Sequence, residues 1–130
     1  MGKGKILVVD DEENLRKAVH RTLTKAGYDV IEAEDGEKAI ATIQAGDNPL
    51  VLDVIICDVH MPNVGGMETI AYFKAQFPSV PIIVLTGDPQ FTDANEFLAN
   101  GGSAYLAKPF EPEALVKTVA QCVEKHVFQY

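Results

Sequence analysis

The chain has 130 residues, 47% of them hydrophobic and 23% charged, which suits a single domain with a buried core. Its net charge of -8 argues against nucleic acid as a direct partner, because phosphate backbones need a basic patch. No apolar stretch approaches the ~20 residues of a membrane span, and residues 1–5 lack the apolar segment of a secretory signal. A cytoplasmic location is expected. The two cysteines, Cys57 and Cys122, have no disulfide or metal spacing and read as free thiols in a reducing compartment.

Taken in order, apolar runs alternate with helical patterns. Residues 5–9 form a continuous apolar run, as a strand covered on both faces requires. Residues 13–26 read as a helix with Leu15, Val19, Leu23 and Ala26 on one stripe, stopped by Gly27. Residues 29–33 predict a second strand and 36–44 a second helix. The stretch 47–52 is a surface excursion whose last residues extend the third strand, 53–57. A third helix covers 67–77 and stops at Pro78. A β-branched fourth strand covers 81–85, a fourth helix 91–99, and a fifth strand 103–107. The last helix, 112–127, has proline in its first turn and Leu115, Val119, Val123 and Val127 on its stripe.

Strand-then-helix units repeated in this way predict an α/β fold: a five-stranded parallel sheet, doubly wound with five helices in three layers. The common order for such a sheet is the flavodoxin-like 2-1-3-4-5, which sets strands one and three side by side at the switch point. Asp10 and Asp11 follow the first strand, Asp58 follows the third, and Lys108 follows the fifth. All four then open onto one crevice. Three carboxylates with one ammonium are tolerable only if a divalent cation helps to neutralise them. This points to a Mg²⁺-dependent phosphoryl site.

The segments Val8-Val9-Asp10-Asp11-Glu12, Cys57-Asp58-Val59-His60-Met61-Pro62, Val84-Leu85-Thr86-Gly87 and Tyr105-Leu106-Ala107-Lys108-Pro109-Phe110, in this order, resemble the response-regulator receiver domain of two-component signalling. The resemblance spans essentially the whole chain and implies one receiver domain over 1–130, of the single-domain, chemotaxis-regulator-like kind. It implies that Asp58 is the phosphoacceptor. It implies that Asp11, Asp58 and the main-chain carbonyl of His60 bind Mg²⁺, with Asp10 acting through a coordinated water and Mn²⁺ an alternative ion. Thr86 then donates its hydroxyl to a phosphoryl oxygen, with the backbone at Gly87 beside it, and Lys108 pairs with another oxygen. Tyr105 is the aromatic that moves with the threonine. The implied donor is a phosphohistidine on a sensor kinase or phosphotransfer protein. The implied output face is the fourth helix, fifth strand and fifth helix, where an effector binds.

Such a domain is a signalling element, not an enzyme with a separate substrate: it catalyses its own phosphorylation and a slow autodephosphorylation. No Gly-rich ATP loop is present. The residue-level alternatives are bland. An acidic pair after a strand commonly caps a helix, Thr86 can do the same, and the imidazole of His60 can simply face solvent. Gly65 and Gly87 depart from the family pattern, Gly87 by widening access to the phosphoryl group. A haloacid-dehalogenase-type phosphohydrolase is the rival function. It requires a second aspartate two residues after the nucleophile, where this chain has His60. A flavodoxin-like cofactor carrier is disfavoured by the acidic run Asp10-Asp11-Glu12-Glu13, which would repel a flavin phosphate.

Overall fold

The fold is described from a computed structural model covering residues 3–44, 52–58, 66–87 and 104–127. In chain order the elements are β1 (Lys5–Val9), α1 (Glu13–Lys25), β2 (Asp29–Ala33), α2 (Gly36–Ile43), β3 (Leu52–Asp58), α3 (Gly66–Gln76), β4 (Ile82–Thr86), β5 (Ala104–Ala107) and α4 (Pro112–Val127). The expected helix over 91–99 lies outside the described residues, so α4 is the last of the expected helices. Strand ends differ from the sequence reading by a residue or so. One shift matters: β3 runs through Asp58, so that residue ends the strand rather than following it.

The five strands form one parallel sheet in the order β2-β1-β3-β4-β5, as expected. Strand alternation divides the core in two. Leu7, Val9, Ile55, Cys57, Ile82 and Val84 pack with Ala39 and Ile43 of α2 and Ile70 and Phe73 of α3. Ile6, Val8, Val54, Ile56, Ile83 and Leu85 pack on the other side with Val19 and Leu23 of α1 and Leu115, Val119 and Cys122 of α4. Successive side chains of a strand point to opposite faces, so a sheet covered on both sides needs apolar residues at every position. That is why residues 6–9, 54–57 and 82–85 read as unbroken hydrophobic runs. The sheet also separates Cys57 from Cys122; both are buried and neither is in a disulfide.

Local chemistry sets the ends. Helix α1 closes in a Schellman turn, with Tyr28 N–H donating to the Leu23 carbonyl at 3.1 Å and Gly27 N–H to Thr24 at 3.0 Å. Gly27 has φ 105°, a left-handed conformation that a Cβ would strain. Asp35 caps α2 by accepting the Lys38 N–H at 2.8 Å. Between β1 and β3 the register slips at Lys5/Ile6, leaving Asp53 as the extra residue, and its carboxylate accepts the Lys5 N–H at 2.9 Å. Beyond that point the pairs run cleanly to Val9↔Cys57, Cys57↔Val84 and Thr86↔Ala107, which aligns the carboxyl ends of β1, β3, β4 and β5.

Phe73 is fully buried and the largest such side chain among the described residues. Phe73→Ala should cost about 3–5 kcal/mol, a large part of a domain's total stability. The midpoint of urea unfolding, followed by circular dichroism, should fall accordingly; an unmoved midpoint would show that the α3 face contributes little.

Candidate functional site

The strand alignment assembles the expected crevice. Asp10 leaves the end of β1 and Asp58 ends the neighbouring β3. Both are buried, at 0% and 3% exposure, while Asp11 is exposed. One carboxylate oxygen from each of the three lies within 4.8 Å of the others. Lys108 follows β5, its N–H donating to the Thr86 carbonyl at 2.6 Å, and its side chain reaches back across the sheet end. Its Nζ lies 3.1 Å from Asp10 Oδ2, 3.3 Å from Asp58 Oδ2 and 3.4 Å from Glu12 Oε1.

Thr86 is fully buried at the end of β4, one residue beyond Leu85, the register partner of Asp58. Gly87 is exposed, and a Cβ placed there would meet nothing within 4 Å, so the glycine leaves open space beside the crevice. Tyr105, paired with Val84, is half-buried against the core face shared with α3. His60 lies outside the described residues, as does Gly65.

The helix-cap alternative for the acidic pair does not hold. The N-cap of α1 is Glu12, whose side chain makes no capping bond and instead faces Lys108. Asp10 Oδ1 accepts the Glu12 N–H at 2.9 Å, the Asp10 N–H donates to the Ala33 carbonyl, and the Asp10 carbonyl accepts from Arg16 at 2.9 Å. Only Oδ2 is left over. It is buried and in ion-pair range of Lys108, yet receives no hydrogen bond of acceptable geometry. The one ammonium near it is shared with Asp58 and Glu12, so a further cation would lower the cost of burying this carboxylate oxygen. The three acids offer only hard oxygen donors, which suits a magnesium-like ion.

Two residues outside the sequence reading support this arrangement. Arg16 sits on the buried side of α1, at 8% exposure, three residues before Val19. Its Nε donates to Glu32 Oε1 at 2.8 Å, and Glu32 also meets Lys17 at 3.1 Å and His20 Nδ1 at 2.5 Å. The available signal was a charged residue on an apolar helical stripe, which demands a partner. The identity of that partner, on β2, depends on the wind of the chain.

The electrostatics follow from burial and neighbours. Burial pushes the Asp10 carboxyl above its ordinary value, outweighing the opposing Glu12 N–H and Lys108 ammonium. Burial alone would lower Lys108, but the charges of Asp10 and Asp58 outweigh it and hold the ammonium above its ordinary value. Burial likewise opposes ionisation of Glu32, yet Arg16, Lys17 and His20 bring its carboxyl below the usual range. The Cys57 thiol is pushed far up by burial and by the adjacent Asp58 and Asp10, which disfavours the thiolate.

A raised carboxyl favours the folded state below the unfolded pKa, and that contribution is lost as pH rises through the folded pKa. Ionised Asp10 therefore weakens the metal-free fold at neutral pH. In a metal chelator, Asp10→Asn should unfold at higher urea than the parent at neutral pH, and the gap should narrow on acidification. A gap that widens toward acid would contradict the assigned direction.

The chain was compared with known proteins. Residues 6–120 match the response regulator receiver domain family. Among curated proteins, the uncharacterized transcriptional regulatory protein YrkP of Bacillus subtilis is 35% identical over 126 residues, covering 96% of this chain and 52% of that protein. The alkaline phosphatase synthesis transcriptional regulatory protein PhoP of the same organism is 38% identical over 108 residues, covering 83% of this chain and 43% of that protein. The chain thus spans about half the length of these relatives. Among solved structures, the chemotaxis protein CheY4 of Vibrio cholerae is 38% identical with a TM-score of 0.81, covering 92% of this chain and 98% of that one. A receiver domain protein from Clostridium thermocellum superposes with a TM-score of 0.89 at 26% identity, covering 98% and 99%. These findings support the receiver reading over the phosphohydrolase rival. A match of this extent, on a sheet of this order, makes the chain a member of the response regulator receiver domain family of two-component signalling.

Proposed function

We propose that residues 1–130 act as one receiver domain in which Asp58 accepts a phosphoryl group from a phosphohistidine on a sensor kinase or histidine phosphotransfer protein. The observation that carries this reading is the buried pair Asp10 and Asp58 sharing Lys108, with Asp10 Oδ2 left without a proper hydrogen bond.

Asp10, Asp11, Asp58 and the main-chain carbonyl of His60 are the groups that would hold Mg²⁺, or Mn²⁺ in its place. When bound, the dication screens the crowded carboxylates and the phosphoryl oxygens from one another. The Asp58 carboxylate attacks phosphorus. An O–P bond forms, the P–N bond to the donor imidazole breaks, and its electron pair leaves with that ring. The product is an acyl phosphate carrying roughly one more negative charge than the carboxylate it replaces. Lys108, already an ammonium between the two buried acids, turns to the new oxygens. The Thr86 hydroxyl and the backbone N–H of Gly87 supply further donors. Slow hydrolysis of the acyl phosphate resets the domain.

Moving the Thr86 hydroxyl toward the phosphoryl group vacates space on the side where Tyr105 packs, which couples the chemistry to β5 and α4. Together with the expected helix over 91–99, these elements form the face for a downstream effector. The domain itself meets protein partners rather than nucleic acid, given its charge of -8. Among the described residues no helix is long and apolar enough to cross a membrane, and a cytoplasmic setting suits a domain served by a soluble phosphodonor.

Acetyl phosphate with Mg²⁺ should label the protein with an alkali-labile phosphate, and Asp58→Asn should abolish the label. Label retained in that variant would place the acceptor elsewhere. Lys108→Ala should still take up Mg²⁺ by calorimetry. On phosphorylation, however, it should lose the change in amide hydrogen exchange over Ala104–Ala107 that the parent shows. An undiminished change would remove Lys108 from the switching step.

A further inference from the structure

We propose that Arg16 is a positioning residue for the metal site: its guanidinium clamps the main chain of Asp10 to Glu32 of β2 and thereby aims Asp10 Oδ2 into the acidic cluster. The proposal rests on the reading of Asp10, Asp11 and Asp58 as ion ligands, and extends it to a pair of residues that touch neither ion nor phosphoryl group.

Asp10 lies in the turn between β1 and α1. Asp10 must leave the sheet there while keeping its carboxylate pointed at Asp58 and Lys108. Its N–H is held by Ala33 of β2 and its Oδ1 by the Glu12 N–H. The remaining main-chain atom, the carbonyl oxygen, is taken by one terminal nitrogen of Arg16 in a buried bond of 2.9 Å. The same guanidinium donates from Nε to Glu32 at 2.8 Å. One rigid planar group thus ties the end of β1 to β2 from within α1. A flexible single-point ammonium cannot span both acceptors in fixed geometry.

Glu32 is built to serve as the anchor. It stands opposite Val8 in the β1–β2 register, and it is kept ionised by Arg16, Lys17 and His20 together. Its position relative to Asp10 is therefore set by the sheet and not by loop conformation. Burying a guanidinium at 8% exposure is costly unless all its bonds are made. Here one of those bonds holds the Asp10 carbonyl and the other the β2 anchor, which completes the set of restraints on Asp10 begun by its N–H and Oδ1.

The test is Mg²⁺ titration by isothermal calorimetry of the full chain, well below the unfolding temperature of each protein, with urea unfolding in parallel. Arg16→Lys and Arg16→Met should weaken Mg²⁺ binding about tenfold, the usual scale for losing a group that orients a metal ligand. Glu32→Gln, which keeps the shape but loosens the anchor, should weaken it in the same direction by less. It also keeps the test available should Arg16→Met fail to fold. A merely structural role would lower the unfolding midpoint and leave the Mg²⁺ affinity of the folded protein unchanged. Parent-like affinity in Arg16→Lys and Glu32→Gln, with the parent binding normally, would overturn the positioning role while leaving the site intact. Absence of Mg²⁺ uptake by the parent would overturn the ion site itself, and the positioning role with it.

Discussion

The structure turns on a charge imbalance held in place by the sheet. Two buried carboxylates, Asp10 and Asp58, share the Lys108 ammonium at the carboxyl ends of three strands. Ionised acids in such a setting repel each other and lose hydration, which the shared lysine offsets only in part. Burial raises the Asp10 pKa, and the Glu12 N–H and the Lys108 ammonium offset only part of that rise. The three acids are grouped closely enough to hold a metal ion, which would add positive charge there. The balance of charge is also disturbed when a carboxylate becomes an acyl phosphate.

The surrounding fold keeps this unfavourable arrangement from relaxing. Parallel pairing of β1 with β3, and of β3 with β4, fixes the separation of the acids through main-chain bonds. Apolar clusters on both faces of the sheet fasten the strands to four helices among the described residues, so a shift that would relieve the acids would disturb packing on both sides. The bond from the Lys108 N–H to the Thr86 carbonyl ties the lysine to the residue expected to contact the phosphoryl group. Any motion of Thr86 is thereby felt at the root of Lys108.

Beside the acids lies a second charged group, centred on one well-partnered carboxylate. Arg16, Lys17 and His20 converge on Glu32, and this group lies on the β2 side of Asp10, away from Asp58. The contrast in pKa direction is informative: Glu32 is held below its ordinary range because several cations face it, while Asp10 is held above because burial wins over one. The first carboxylate is a structural anchor at neutral pH, the second a store of unfavourable energy that an ion can release.

Much of this was legible in the residues themselves. Unbroken apolar runs at residues 6–9 and 82–85 announce strands covered on both faces, and helical stripes such as Leu115 and Val119 name the sides that cover them. The placement of Asp10, Asp11, Asp58 and Lys108 just at or beyond strand ends is a local property, readable because parallel sheets put their ligand sites there. The tertiary structure alone decided which groups meet. Arg16 was hidden because its partners, the Asp10 carbonyl and Glu32, become neighbours only when β1 and β2 pair. The unsatisfied state of Asp10 Oδ2 likewise depends on which hydrogen bonds its other atoms find. Chain periodicity records which face of an element is buried. It carries no information on which charged side chains, distant in sequence, will share that burial, since their contact is set by strand register and long-range packing.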